Sequence, residues 1–300
     1  MTEFFQHLVN GLSLGSVYAL IALGYTMVYG VLQLINFAHA EVFMLGAFSG
    51  YYLASWLPAF QRGPRFLVVL SLSMAICAGI GVVIERFAYR PLRNSPRLNA
   101  LITAMGVSML IQAIGQLPFF MGPSPRFFPP LLPNRSLLSV AGVGVTTLQA
   151  VTLGSAVLLM IGLHRLVFHT RFGAAMRAVS FDGRTAGLMG IDANRVIALT
   201  FMVGSALAAA AGILVGLSYP RIEPTMGVLL GLKAFVAAVL GGIGNIRGAM
   251  VGGMTIGLVE AMAVGYGSSS YRDAVAFGIL ILVLVFKPSG IFGKAVVEKV

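Results

Sequence analysis

A chain of 300 residues that is 58% hydrophobic and only 10% charged, with a mean hydropathy of +0.93, is not an ordinary soluble domain; such a domain carries about a quarter charged residues to wet its surface. The net charge of +11 does not point to nucleic acid, because Arg and Lys sit in short loops between apolar runs rather than on one face or in a tail. The single cysteine, Cys77, falls inside an apolar run and excludes an intramolecular disulfide.

The chain opens Met1-Thr2-Glu3-Phe4-Phe5, without the basic region of a secretory signal, so the first apolar stretch reads as a retained helix. Apolar runs long enough to cross a hydrocarbon core of roughly 30 Å recur near 8–29, 38–57, 67–87, 99–120, 147–168, 195–217, 227–243, 248–266 and 272–287. The expected fold is all-α: one polytopic transmembrane domain over 1–300 with about nine crossings. Eight or ten are the alternatives where the Gly-rich region 227–266 turns tightly. Small residues four apart let helix backbones approach closely. Gly11 and Gly15, Gly212 and Gly216, Gly227 and Gly231, Gly248 and Gly252, and Gly253 and Gly257 have that spacing, which predicts a tightly packed C-terminal bundle. A faint internal echo links 78–85 with 253–260, as expected of a duplicated transporter.

Basic loops set the orientation. Arg86, Arg90, Arg93 and Arg97 follow the third span, Arg165, Arg171, Arg177, Arg184 and Arg195 surround the fifth-to-sixth connection, and Lys287, Lys294 and Lys299 close the chain. Alternating spans put all three groups on one side, the cytoplasm, with the C-terminus. The Pro-rich loop 121–133 and the turns 219–225 and 265–272 then lie outside with the N-terminus.

No enzyme signature is present: no His-Glu-x-x-His, no phosphate-binding Gly-rich loop with its Lys, and no His or Cys cluster with metal spacing. His164 and His169, five apart, fall on different helix faces. Ionisable groups inside apolar spans are costly and therefore informative. Asn36, His39 and Glu41 interrupt two apolar stretches. They mark either a broken helix along a permeation path or a loop in which Asn36 caps the next helix. Glu260 lies mid-span, as a structural carboxyl or a path residue. Lys233 is placed to snorkel from a helix start, and Glu85 with Arg86 is placed at an interface. The polar stretch 171–194 sets Ala175, Ala178, Phe181, Ala186, Leu188 and Met189 among Arg177, Asp182 and Arg184, with glycine stops at Gly183 and Gly190. That pattern fits one or two short amphipathic helices that dock a partner, or a basic loop on anionic lipid.

Four stretches carry a resemblance: INFAHAEVFMLGA (35–47), AAMRAVSFDGRTAGLMGI (174–191), GLKAFVAAVLGGIGNIRGAMVGG (231–253) and YRDAVAFGILILVLVFKPSGIFG (271–293). In order and content they resemble the H-type (LivH-like) permeases of branched-chain amino acid ABC importers. The resemblance implies an ABC importer permease fold in the bacterial inner membrane. It implies a pore of two permease chains, the second either an M-type homologue or another copy. Two cytoplasmic ATPases would carry the ATP and magnesium, this chain having no cofactor of its own, and a periplasmic binding protein would deliver substrate. It also makes 171–194 the segment that couples to the ATPase. There a family Glu-Ala-Ala-to-Gly pattern falls on Arg184, Thr185, Ala186 and Gly190, with arginine in place of the leading glutamate. The alternatives are a sister ABC importer for urea, other amino acids or sugars, and an ion-coupled secondary transporter.

Overall fold

The computed structural model describes residues 2–57, 62–93, 95–140 and 142–293; Lys294 and Lys299 of the basic tail lie outside them. The helices in order are α1 (Thr2–Leu32), α2 (Ala38–Trp56), α3 (Arg62–Ile84), α4 (Arg97–Gln116), α5 (Thr147–His169), α6 (Arg171–Phe181), α7 (Gly183–Leu188), α8 (Ala193–Ser218), α9 (Met226–Gly241), α10 (Ile246–Tyr266) and α11 (Arg272–Phe286). A π-helical turn, Glu85–Tyr89, prolongs α3.

Among the described residues seven helices are long and apolar enough to cross a membrane alone. The nine expected runs are all helical, but α2 and α9 fall short of that standard. With 16 residues, α9 is about 24 Å long at 1.5 Å per residue, less than a hydrocarbon core. α2 carries His39 and Glu41, and its surface is largely covered by protein. α2 is largely interior, whereas α9 buries one face and exposes Val228, Leu229 and Leu232.

Sequence signals explain where elements begin and end. Thr146 and Gln149 form a reciprocal capping box at the start of α5, while Asp192 and Asn245 cap α8 and α10 through their side chains. Between α9 and α10 the chain turns on Gly242 and Gly244, whose φ values of 100° and 90° favour glycine. One feature lies outside the all-α expectation: the stretch before α5 is an antiparallel hairpin of β2 (Ser136–Val140) and β3 (Val143–Thr146). A two-residue pairing of β1 (Arg126–Phe127) with β4 (Arg221–Ile222) ties the Pro-rich loop to the α8–α9 turn.

The packing has an internal correspondence. α1 lies against α10 and α9 as α8 lies against α3 and α2; α9 packs on α10 and α11 as α2 packs on α3 and α4. α11 also touches α10, and α4 touches the π-helical turn that extends α3. The sets α1–α4 and α8–α11 are therefore two versions of one unit, with α1 packed on α8 between them. The residue echo of 78–85 with 253–260 falls on the corresponding helices α3 and α10.

All five glycine pairs sit at seams. A methyl group on Gly257 would lie 2.2 Å from the Gly15 backbone, and one on Gly253 would lie 2.4 Å from that of Ala19. Gly212 faces the Phe43 carbonyl and Gly216 the ring of Phe128; Gly227 and Gly231 face Ala40, and Gly252 faces the Ala237 carbonyl. The tight bundle is thus not C-terminal alone, because α10 closes on α1 from the opposite end of the chain.

Candidate functional site

At one end of the bundle α6 and α7 project between α5 and α8. Asp182 joins them: its carboxylate accepts from the amides of Arg184 (2.9 Å) and Thr185 (3.2 Å) and from the Thr185 hydroxyl. The Thr185 hydroxyl, followed by the two amides, holds this exposed carboxyl below the ordinary range, so the cap is charged at neutral pH and is lost only as pH falls through that lowered value. α7 ends in a Schellman turn: Ile191 N donates to Ala186 O (3.0 Å), and Gly190 adopts φ 83°. Ala186 is buried and Ala175 half-buried, whereas Arg184 is exposed. Phe181, Leu188 and Met189 are 95%, 88% and 79% exposed, an apolar tip that nothing among the described residues covers. Asp182→Ala should destabilise the α6–α7 junction, while Asp182→Asn, an equivalent cap, should retain it; the rate of limited proteolysis between α6 and α7 reads the difference.

The projection is fastened to the bundle. Arg177 donates to the Val167 carbonyl at the end of α5 and lies 5.8 Å from the Phe168 ring, which Arg247 approaches from α10 at 5.7 Å. The Ser180 hydroxyl donates to the Gly30 carbonyl near the end of α1. Just beyond α7, Asn194 accepts from Arg93, which also pairs with Glu85. Glu85 is 2% exposed and so is not the interfacial residue expected from its position at a span end. The basic side chains Arg86, Arg90 and Arg93, those around α6, and Lys287 share this end: backbone bonds from Ile291 and Phe292 to Leu240 and Gly241 hold the chain after α11 against the α9–α10 turn, beside Arg247.

Asn36, His39 and Glu41 lie at the α1–α2 break, where Gln33 has a φ of 54°, but their side chains reach different partners. Asn36 does not cap α2; its side chain accepts from the Tyr89 hydroxyl (2.8 Å). His39 is buried over Gly24, its ring 4.8 Å from that of Tyr25. Glu41 accepts from Ser108 (3.1 Å) and Gln112 (2.7 Å) of α4, and its second carboxylate oxygen is buried without a partner among the described residues.

Glu260 stands apart from these three. It is 1% exposed and forms the hub of an ionic cluster. The Tyr18 hydroxyl donates to Oε2 at 2.9 Å, while Lys233 Nζ and Arg272 Nε each lie 3.0 Å from Oε1. Lys233 also pairs with Asp273 at 2.7 Å. Lys233 therefore does not snorkel: at 2% exposure it is enclosed by α9, α10 and α11. His164 and His169 come closer than their spacing suggested, with ring centroids 6.0 Å apart, but no group of three metal-ligating residues occurs among the described residues. Lys233, Arg272 and Asp273 lie in stretches whose composition was legible, yet only the fold reveals that they meet.

Two clefts open at opposite ends of α1. One, of about 400 Å³, includes Asn10, Ser13, Leu14, Val17 and Arg272. The other, of about 660 Å³ and on the α6 side, includes Thr26, Tyr29, Gln33, Arg177 and Ser180. Between them residues 18–25 of α1 are buried.

A polytopic helical bundle with a cleft at each end of α1 and a fastened projection has an architecture that suits a membrane permease. The fold is shared with PsaBC from Streptococcus pneumoniae, solved in complex with a Fab: TM-score 0.50 over 96% of this chain and 93% of that one, at 15% identity. The model of the branched-chain amino acid transport system permease component matches residues 7–284. The high-affinity branched-chain amino acid transport system permease protein BraD of Pseudomonas aeruginosa is 44% identical over 304 residues, covering 99% of this chain and 98% of BraD. LivH of Escherichia coli K12, with the same descriptive name, is 44% identical over 303 residues at the same coverage. The chain belongs to the branched-chain amino acid transport system permease family.

Proposed function

We propose that this chain is the pore-forming permease of an ABC importer that carries branched-chain amino acids into the cytoplasm across the bacterial inner membrane. The observation that carries the coupling half of this reading is the apolar tip of Phe181, Leu188 and Met189 on a capped, fastened projection, a surface that suits a groove on a partner better than water. The partner is one of two cytoplasmic ATPases, which hold ATP and magnesium; this chain performs no hydrolysis. A second permease, an M-type homologue or another copy, completes the pore, and a periplasmic binding protein delivers substrate to the far face. The α6 end and the C-terminus then face the cytoplasm, in keeping with the basic side chains gathered there.

Movement of α6 and α7 by the ATPases acts through the contacts already described. Ser180 pulls on the end of α1 through Gly30, and Asn194 acts on the end of α3 through Arg93 and Glu85. α1 bounds both clefts, together with α5 and α10, and it is the one of the three tied to α6 through Ser180, so its displacement opens one end while closing the other. That is alternating access, with the two states biased by the ATPases.

The test is purification and reconstitution. The chain should bring a P-loop ATPase with it, and proteoliposomes of the complex should take up leucine, isoleucine and valine only with ATP and binding protein. Uptake driven by an ion gradient, with no ATPase in the preparation, would establish a secondary transporter instead.

A further inference from the structure

We infer that the cleft at the far end of α1 from α6 binds an amino acid on this chain, with Arg272 taking its α-carboxylate and the apolar wall taking its side chain. The inference rests on the amino-acid import proposed above and names the site inside it. The cleft is bounded by the first half of α1, the start of α5, the ends of α8 and α10 and the start of α11. Its size lies in the range of small-molecule sites, about 300–1,000 Å³. One wall is aliphatic, formed by Leu14, Val17, Val215 and Val264, and Ser13 brings a hydroxyl to the same space. Arg272 is the charged side chain of that lining.

The chemistry of Arg272 selects a carboxylate. Its Nε faces Glu260 at 3.0 Å, its one ion pair among the described residues, while the side chain remains 41% exposed towards the cleft. With its ion pair on the Nε side, the guanidinium leaves its terminal nitrogens as a planar fork, the geometry that binds a carboxylate through two parallel hydrogen bonds. Glu260 is fixed in turn by Tyr18 and Lys233, so the fork is aimed by a second layer of buried partners. The charges of Arg272, Lys233, Glu260 and Asp273 cancel. A zwitterion therefore enters without adding net charge to the cluster. Arg272 is assigned as the residue that touches substrate, and Glu260 as a positioning residue acting through it.

Binding is measured on the purified permease–ATPase complex without binding protein, using radiolabelled leucine and leucinamide, which lacks the carboxylate. The wild-type complex should bind leucine at least about tenfold more tightly than leucinamide. In Arg272→Gln leucine should weaken by about tenfold or more, and the preference over leucinamide should vanish. Val264→Trp fills the cleft while leaving the ionic cluster untouched, and should weaken both ligands without a change in melting temperature. Absence of leucine binding to the wild-type complex, unchanged leucine affinity in both variants, or a preference surviving in Arg272→Gln overturns the site. Uptake by the complete importer separates the two readings. Import of leucine with binding unaffected by the variants removes only this site, whereas failure to import any branched-chain amino acid removes the substrate assignment itself.

Discussion

Glu260→Leu is expected to destabilise the protein by about 3–5 kcal/mol, the cost of leaving buried charge uncompensated. Glu260 receives the Tyr18 hydroxyl and faces Lys233 and Arg272, so a leucine of similar bulk leaves Tyr18 without an acceptor and a surplus positive charge between α9 and α11. Lys233 keeps Asp273, but at 2% exposure it has no water to complete its solvation. Adding Lys233→Met removes the surplus and lets Arg272 and Asp273 balance each other. The double variant should therefore recover a substantial part of the loss, a coupling that thermal unfolding in detergent reads as a double-mutant cycle. Additive losses would show that the four groups do not act as one cluster.

Gly257→Leu should be at least as damaging, for a steric rather than an electrostatic reason. Even a single added carbon would lie 2.2 Å from the Gly15 backbone and 2.8 Å from the Gly11 carbonyl. Overpacking a core costs about 1–3 kcal/mol when side chains can shift, and here the obstacle is main chain on both sides. α1 and α10 would have to separate along the seam where small residues give lipid-excluded backbone contact. A loss at or above about 3 kcal/mol is expected, seen as failure to purify a folded monomer. Gly278→Leu is the control, since nothing lies within 4 Å of a methyl group built there. Equal yields of the two variants would contradict the packing account.

These two positions show what the sequence could and could not reveal. Gly253 and Gly257 announced a close helix contact by spacing alone, because the requirement is local. The identity of the partner was not local: it is α1, more than 200 residues away, and only the correspondence between the two four-helix units brings it there. Lys233 was misread for the same reason. Seven residues into α9 it looked near enough to an end to reach water, but α10 and α11 cover it with Glu260 and Asp273. Glu85 was likewise buried by a turn of the backbone: the π-helical segment and Arg93 fold over it. Asn36 illustrates a different limit, since a cap and a tertiary hydrogen bond use the same side chain, and Tyr89 wins it. The polar segment 171–194 was legible as one or two short helices, with a basic loop on lipid as the alternative; the structure makes it two because Asp182 and Gly190 act on their immediate neighbours. The hairpin before α5 was not, since its short strands carry little alternation and are flanked by loop-like residues.

The decisive question is which side of the membrane the projection of α6 and α7 occupies and whether an ATPase covers it. Cys77, the one native cysteine, is buried, so a Phe181→Cys variant offers a membrane-impermeant maleimide a single accessible thiol. Intact spheroplasts should leave Cys-substituted position 181 unlabelled, inside-out vesicles stripped of ATPase should label it, and re-addition of the ATPase should protect it. Labelling from the outside of intact cells would contradict the account.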